Sequence, residues 1–338
     1  MNGFTLNNIS NCYVGSAPAS AIYIGSQLIW PSTPPPHDYS QDYLTFTALE
    51  NTTFTFTTNA LQYSLDDGNT WTTLAANTAS STVTTGNKIL WKQTGLTPTS
   101  VNGIGKFSAT GNFDASGNIM SLYYGDNFIN QNDLTGKSYA FYRLFYNCNK
   151  LVNTENLILP ATTLASLCYF NMFYGCTSLT TAPELPANTL TTGCYEGMFQ
   201  GCSSLVTAPE LSATTLANSC YGSMFMDCTS LSVAPELPAT TLIDSCYHSM
   251  FSWCTSLTTA PELPVDTLVD NCYKYMFQFC SSLNYIKCLA NDIYATDCTY
   301  KWVDGVAATG TFVREAGMLW TTDDSGIPSG WTVVDNIL

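Results

Sequence analysis

Cysteine is the residue in this chain whose spacing most invites a chemical explanation. Cys168, Cys194, Cys220, Cys246 and Cys272 recur at a constant interval of 26 residues. A second set, Cys176, Cys202, Cys228, Cys254 and Cys280, follows each of them by eight residues. Such a pattern could hold zinc, cycle between thiol and disulfide, or fill a repeated core position. Zinc sites need C-x-x-C pairs or added histidines, and the only histidines are His37 and His248. Stacked repeats would point the thiols of one column the same way, which is poor disulfide geometry. The columns are therefore taken as buried structural thiols, with disulfides second and metal third. Free thiols imply folding in a reducing compartment. No cofactor is expected.

Two other sets could bind rather than react. Glu184, Glu210, Glu236 and Glu262 supply one carboxylate per repeat. They form either a ladder for cations or sugar hydroxyls, or a solvated edge. The absence of a flanking acidic column favours the edge, since calcium needs several oxygen ligands. Trp253, Tyr275 and Phe279 fall at positions that vary between repeats and gather on two adjacent units. Exposed aromatics on a rigid scaffold suit ligand anchoring; contact with a C-terminal cap or another subunit is the alternative. His248 has no nucleophile or acid partner pattern, so no catalytic residues are assigned and no enzyme is expected. The stretch "SLDDGNTW", Ser64 to Trp71, matches the Asp-box turn of sialidases and β-propellers. There it braces a hairpin and does no chemistry. A sialidase would also need three arginines around its substrate carboxylate, and only Arg143 and Arg314 occur.

These residues must be positioned by the repeat itself. Leu190, Cys194, Tyr195, Met198, Phe199 and Cys202 follow one another at steps of 4, 1, 3, 1 and 3. That spacing predicts one face of an α-helix of about three turns. "SSLVTAPEL" predicts a short strand limited by Pro209. Each rung then reads as strand plus helix, the strands stacking in a parallel sheet. A fixed period between 20 and 50 residues predicts a solenoid, and the degenerate first and last units predict caps.

Upstream, "YLTFTAL", "TTFTFTT", "LQYSL", "TWTTL", "STVTT" and "KILWKQT" predict β-strands separated by turn clusters such as "DDGN" and "TTGN". An immunoglobulin-like sandwich is the expected arrangement. "PSTPPP", Pro31 to Pro36, predicts a stiff linker. The expected organisation is 1–36 as an attachment arm and Pro-rich linker, 37–137 as the β-sandwich, 138–312 as the repeat array and 313–338 as a C-terminal cap.

Charge narrows the partners. The 338 residues carry a net charge of −15 and only 10% charged side chains. Without a basic run, binding to nucleic acid or to an anionic membrane surface is not expected. No apolar run reaches membrane-spanning length, so no membrane insertion is expected. "MNGFTLNNIS" lacks the basic and apolar parts of a secretory signal, so export by the usual route is not expected.

"MFQGCSSLVTAPEL" and "MFYGCTSLTTAPELPANTL" resemble the BspA-type leucine-rich repeats of gut Bacteroidetes and their phages. The resemblance covers roughly half the chain through five rungs. "GNFDASGNIMSLYYGDNF" and the tail "VAATGTFVREAGMLWTTDDSGIPSGWTVVDN" are also similar to parts of such proteins. The resemblance fits the mixed β and α/β chain read above, a β-sandwich followed by a leucine-rich-repeat solenoid of short strand plus helix rungs. It further implies adhesion to a host cell-surface glycan or protein, without catalytic residues. Together with the missing signal and the free thiols, this favours a phage virion fibre or receptor-binding protein. Residues 1–30 would then join it to other virion proteins, and a homo-oligomer is compatible with that role. A bacterial cell-surface BspA-like adhesin is the alternative.

Overall fold

A computed structural model describes 13–14, 17–18, 22–24 and 27–30 as backbone strands, and 38–99 and 102–337 in full. The chain divides into two compact units, 1–38 and 39–338. In the first, β1 (Tyr13–Val14) pairs antiparallel with β2 (Ala17–Pro18), and β3 (Ile22–Ile24) with β4 (Gln27–Trp30). The expected linker Pro31–Pro36 lies outside the described residues, as do Cys12 and His37.

The second unit begins with a sheet. Its strands are β5 (Leu44–Ala48), β6 (Phe54–Phe56), β7 (Leu61–Ser64), β8 (Thr72–Leu74), β9 (Lys88–Lys92), β10 (Phe107–Ala109) and β11 (Phe113–Asn118). Two more, β12 (Leu151–Asn153) and β13 (Leu157–Ile158), come from the first repeat. The principal sheet runs β12-β11-β5-β9-β7-β8, with β13 also on β11, while β6 and β10 form a separate pair. Alternation of apolar residues with Thr turns Leu44, Phe46 and Ala48 inward, as period-2 patterning requires. The predicted strand at 81–85 reduces to one bridge, Thr52 to Val83.

This is not the expected immunoglobulin-like sandwich. One principal sheet faces a two-stranded ribbon, and the far edge of β11 is taken by β12 and β13 in parallel register. The array thus closes the sheet edge where a sandwich would need a second full sheet. Phe46 and Phe107 both touch Phe145 of the array, so one core runs through both parts.

The strand-plus-helix rungs are also absent. The chain is 3% helical and 21% strand. The only α-helix among the described residues is the single turn α1 (Ser121–Tyr124). The expected helical face folds instead as consecutive tight turns. In the unit at 167–176, Cys168, Phe170, Met172, Tyr174 and Cys176 donate their N–H groups to carbonyls three residues back. The alternate residues Leu167, Tyr169, Asn171, Phe173 and Gly175 donate to Thr192, Cys194, Glu196, Met198 and Gln200 of the next rung. Every second backbone donor is therefore spent locally and every other one between rungs.

Two magnitudes explain why a helix loses. Packed helices need about 8–10 Å between axes, but the stacked rings of Phe173, Phe199, Phe225 and Phe251 sit 5.4 to 5.7 Å apart. That approaches the strand spacing of about 4.8 Å. Rungs this close bond backbone to backbone, which an α-helix, with its donors used internally, cannot do. The turns also need φ above zero at every fourth residue. Gly193, Gly197 and Gly201 meet this in one rung, and Ser219, Ser223 and Asp227 in the next. At Gly197 a Cβ would lie 2.0 Å from Asn171 Oδ1, so any other residue there requires the Asn171 side chain to move.

Proline decides where strands form. Pro183, Pro209, Pro235 and Pro261 each remove a ladder donor from the side opposite the turns. There the ladder between rungs is reduced to isolated bridges such as Thr207 to Val233. The last repeat carries Lys287 where the preceding rung has Pro261, and β14 (Tyr285–Cys288) forms. It pairs in parallel with β15 (Thr311–Arg314), which pairs with β16 (Thr332–Asp335).

Tyr169, Tyr195, Tyr221, Tyr247 and Tyr273 stack in a second buried column ending on Trp302. Phe225→Ala opens a gap in the middle of the phenylalanine column and should cost about 3–5 kcal/mol. Thermal unfolding should show a markedly lower midpoint, and far-UV circular dichroism of the wild type should lack helical minima. An unchanged midpoint or a strongly helical spectrum would contradict this architecture.

Candidate binding surface

The cysteines lie in the core and not at a reactive surface. All thirteen among the described residues are buried and unpaired by disulfides. In the second column each thiol donates to the carbonyl of a phenylalanine one rung back: Cys176 to Phe145, Cys202 to Phe173, Cys228 to Phe199, Cys254 to Phe225 and Cys280 to Phe251, at 2.9 to 3.2 Å. Among the described residues no three metal-ligating side chains converge. Burial pushes the thiols up, Cys220 to about 11 and Cys168 to about 12, which makes them poor nucleophiles.

The Asp-box turn is braced as the motif implies. Asp66 accepts from the Thr70 hydroxyl at 2.7 Å and backbone N–H at 2.9 Å, and from Ser64 at 2.7 Å, holding its carboxyl down at about 2. Gly68 supplies φ of 86°, and Trp71 Nε1 donates to its carbonyl at 3.0 Å. Lys92 sits 4.0 Å over the Trp71 ring and bonds Asp126 at 2.6 Å, tying the turn to the sheet.

Each turn rung presents two of every four side chains outward. Trp253, Tyr275 and Phe279 are on this face. Trp253 is 43% exposed, and its ring lies 4.5 Å from that of Phe279. Tyr275 meets His248 edge-on at 5.7 Å and Tyr300 at 5.6 Å. Lys274 lies 5.7 Å from both tyrosine rings and is held by Asp297 at 2.8 Å. Burial, with Lys274 adding to it, lowers the His248 pKa and favours the neutral ring. His248 and Tyr300 thus join the three residues singled out from sequence. The alignment at intervals of 26 residues already placed them beside Lys274.

All three anchors are left-handed, with φ of 65° at Trp253, 57° at Tyr275 and 60° at Phe279. Equivalent positions hold Gly175, Gly201, Asp227 and Gly305 for the first and last, and Asn171, Gly197, Ser223, Ser249 and Lys301 for Tyr275. A bulky side chain in this region costs roughly 1–2 kcal/mol. The scaffold accepts small residues here, and at these rungs carries aromatics instead.

The glutamates occupy the proline side. Glu184, Glu210, Glu236 and Glu262 are all exposed. Glu210 and Glu236 share a shallow groove with Pro209 and Pro235. Glu262 pairs with Lys287 at 3.1 Å. The four stand in file, remote in sequence from the aromatic positions of each rung, and no second carboxylate joins them to make a cation cage among the described residues.

No known family, curated protein or solved structure matches this chain. No helix among the described residues is long and apolar enough to cross a membrane.

The thiol burial has a consequence for stability. Above about pH 8.5 an unfolded chain loses its thiol protons, whereas the folded thiols keep theirs up to about 11 or 12 at Cys220 and Cys168. Their stabilising contribution is therefore complete below pH 8.5 and falls as pH rises toward those values, by about 1.4 kcal/mol per pH unit for each such thiol. Denaturant midpoints should drop steeply between pH 8.5 and 10.5, and native thiols should resist labelling until unfolding. A flat midpoint over that interval would contradict the burial.

Proposed function

We propose that this chain is a receptor-binding protein of a phage virion fibre, adhering to a host-surface ligand through Trp253, Tyr275 and Phe279 and catalysing no reaction. The observation that carries this is the backbone under those side chains. Aromatics stand in left-handed positions that most sister rungs fill with glycine, serine, asparagine or aspartate. Conformational cost of this kind concentrates at functional sites. A hot spot is also a compact group of aromatics on rigid support, and the Trp253–Phe279 pair with Tyr275 and Tyr300 alongside has that form.

The buried thiols support synthesis in a reducing compartment, as for a virion protein assembled in the host cytoplasm. The likeness of the repeats to BspA-type sequences supports adhesion as the activity. In this proposal residues 1–30 attach to other virion proteins. A bacterial surface adhesin built from the same repeats would place the same surface on a different particle; capsid or tail genes beside the coding sequence decide between them.

The test exchanges each anchor for the residue of its sister rungs: Trp253→Gly, Tyr275→Ser and Phe279→Gly together. Relief of left-handed strain offsets the lost ring contacts and the added chain entropy, so the stability should stay within about 1–2 kcal/mol of wild type. Adhesion to host cells should be lost. A folded triple variant that binds host cells as the wild type does would refute the assignment.

A further inference from the structure

The opposite end of the same face carries a second concentration of aromatic and cationic groups. Tyr142 stacks on Phe170 at 5.2 Å and Tyr146 on Tyr174 at 4.7 Å, across the first two rungs. Tyr139 meets Tyr142 edge-on at 5.7 Å. The Arg143 guanidinium lies 4.9 Å from the centres of both the Tyr142 and Tyr146 rings, and Lys106 reaches Tyr146 at 5.7 Å.

What distinguishes this cluster is its unused donors. Arg143 Nε is buried without a hydrogen-bond partner. Among the described residues the Arg143 side chain bonds no acceptor, and neither Arg143 nor Lys106 pairs with a carboxylate. Arg314, by contrast, is engaged by Asp335 at 2.7 Å. Of the two arginines, Arg143 is therefore the one whose guanidinium has no carboxylate partner among the described residues. A buried unsatisfied donor requires an explanation, and a bound ligand is one. Arg143 is also left-handed, with φ of 57°, where the next three rungs have Asn171, Gly197 and Ser223. The nearest acid along the face, Glu196, comes one rung beyond Phe170 in the Tyr142 column, and burial raises its pKa.

We infer that this surface is a second binding site, for a carboxylate-bearing oligosaccharide. The planar guanidinium fork matches a carboxylate. The stacked rings are half-buried, and ring edges carry positive partial charge that favours an anion. The hydroxyls of Tyr139, Tyr142, Tyr146 and Tyr174 make no hydrogen bond among the described residues, and each can both donate and accept. Sugar hydroxyls do the same. The glutamate side chains of an acidic peptide only accept, and so would use half of what the tyrosines offer.

This site does not rest on the Trp253 surface, and its failure leaves that assignment untouched. Calorimetry of the full chain should compare oligogalacturonate and sialyllactose with their neutral counterparts, methyl-esterified oligogalacturonate and lactose. At least one acidic saccharide should bind, its neutral counterpart should not, and added salt should weaken binding. Arg143→Asn, which places at 143 the residue type found at 171, should lower affinity about tenfold or more, as for loss of a charged hydrogen bond. Lys106→Ala, at an exposed position, should weaken it further without altering the melt. Equal binding of acid and neutral forms, no binding of either acid, or undiminished affinity in a folded Arg143→Asn chain would overturn the proposal. So would polyglutamate binding in place of the saccharides, which would point to an acidic protein partner.

Discussion

The array depends on how its backbone N–H groups are divided. In each turn run alternate donors close a local three-residue turn, and the intervening ones bond the next rung. Neither set suffices alone. Isolated turns would leave half of the buried donors unsatisfied, at about 1–3 kcal/mol each. A wholly inter-rung ladder would require extended strands, which the repeated left-handed residues prevent. The combination satisfies the backbone and sets the spacing between rungs at the same time.

That spacing selects the side chains. Rungs 5.4 to 6.2 Å apart bring identical rings into register, so Phe and Tyr columns stack nearly parallel. Cysteine suits the narrow inner positions because it is small, apolar and a weak donor. Its thiol reaches a carbonyl that already accepts a turn hydrogen bond, as Phe173 does from both Cys176 N–H and Cys202 Sγ. The regularity that suggested metal or redox chemistry is a consequence of packing. The same columns that make the thiols inert bind each rung to its neighbours, as in any one-dimensional stack.

The outward positions follow different rules. The backbone demands small or left-handed-tolerant residues at every fourth position there, and the middle rungs comply with Gly193, Gly197, Ser219 and Ser223. The two ends do not. Arg143 at one, and Trp253, Tyr275 and Phe279 at the other, hold large side chains on left-handed backbone. A rigid stack can carry this cost because each rung is fixed by bonds on both sides. The outcome is a face with two aromatic, partly cationic ends separated by a low polar stretch.

The sequence by itself determined the interval of 26 residues, the burial of Cys194, Tyr195, Met198, Phe199 and Cys202, and the exposure of Trp253 and the glutamate file. It also marked five of the six strands expected before Lys92. It did not distinguish a helix from a run of turns. Steps of 4, 1, 3, 1 and 3 place one face inward at 3.6 residues per turn, and equally at four. The local cue that separates them is the left-handed-tolerant residue at every fourth position, as in Gly193, Gly197 and Gly201. What settles the choice is where the backbone donors go, and their partners lie about 25 residues away. The same non-locality hid the capping of β11 by β12 and β13, and the stacking of Tyr142 on Phe170 and of Tyr146 on Tyr174. Those contacts exist only once a first repeat with two extra residues stacks in register on the second, and the register is a property of the assembled rungs.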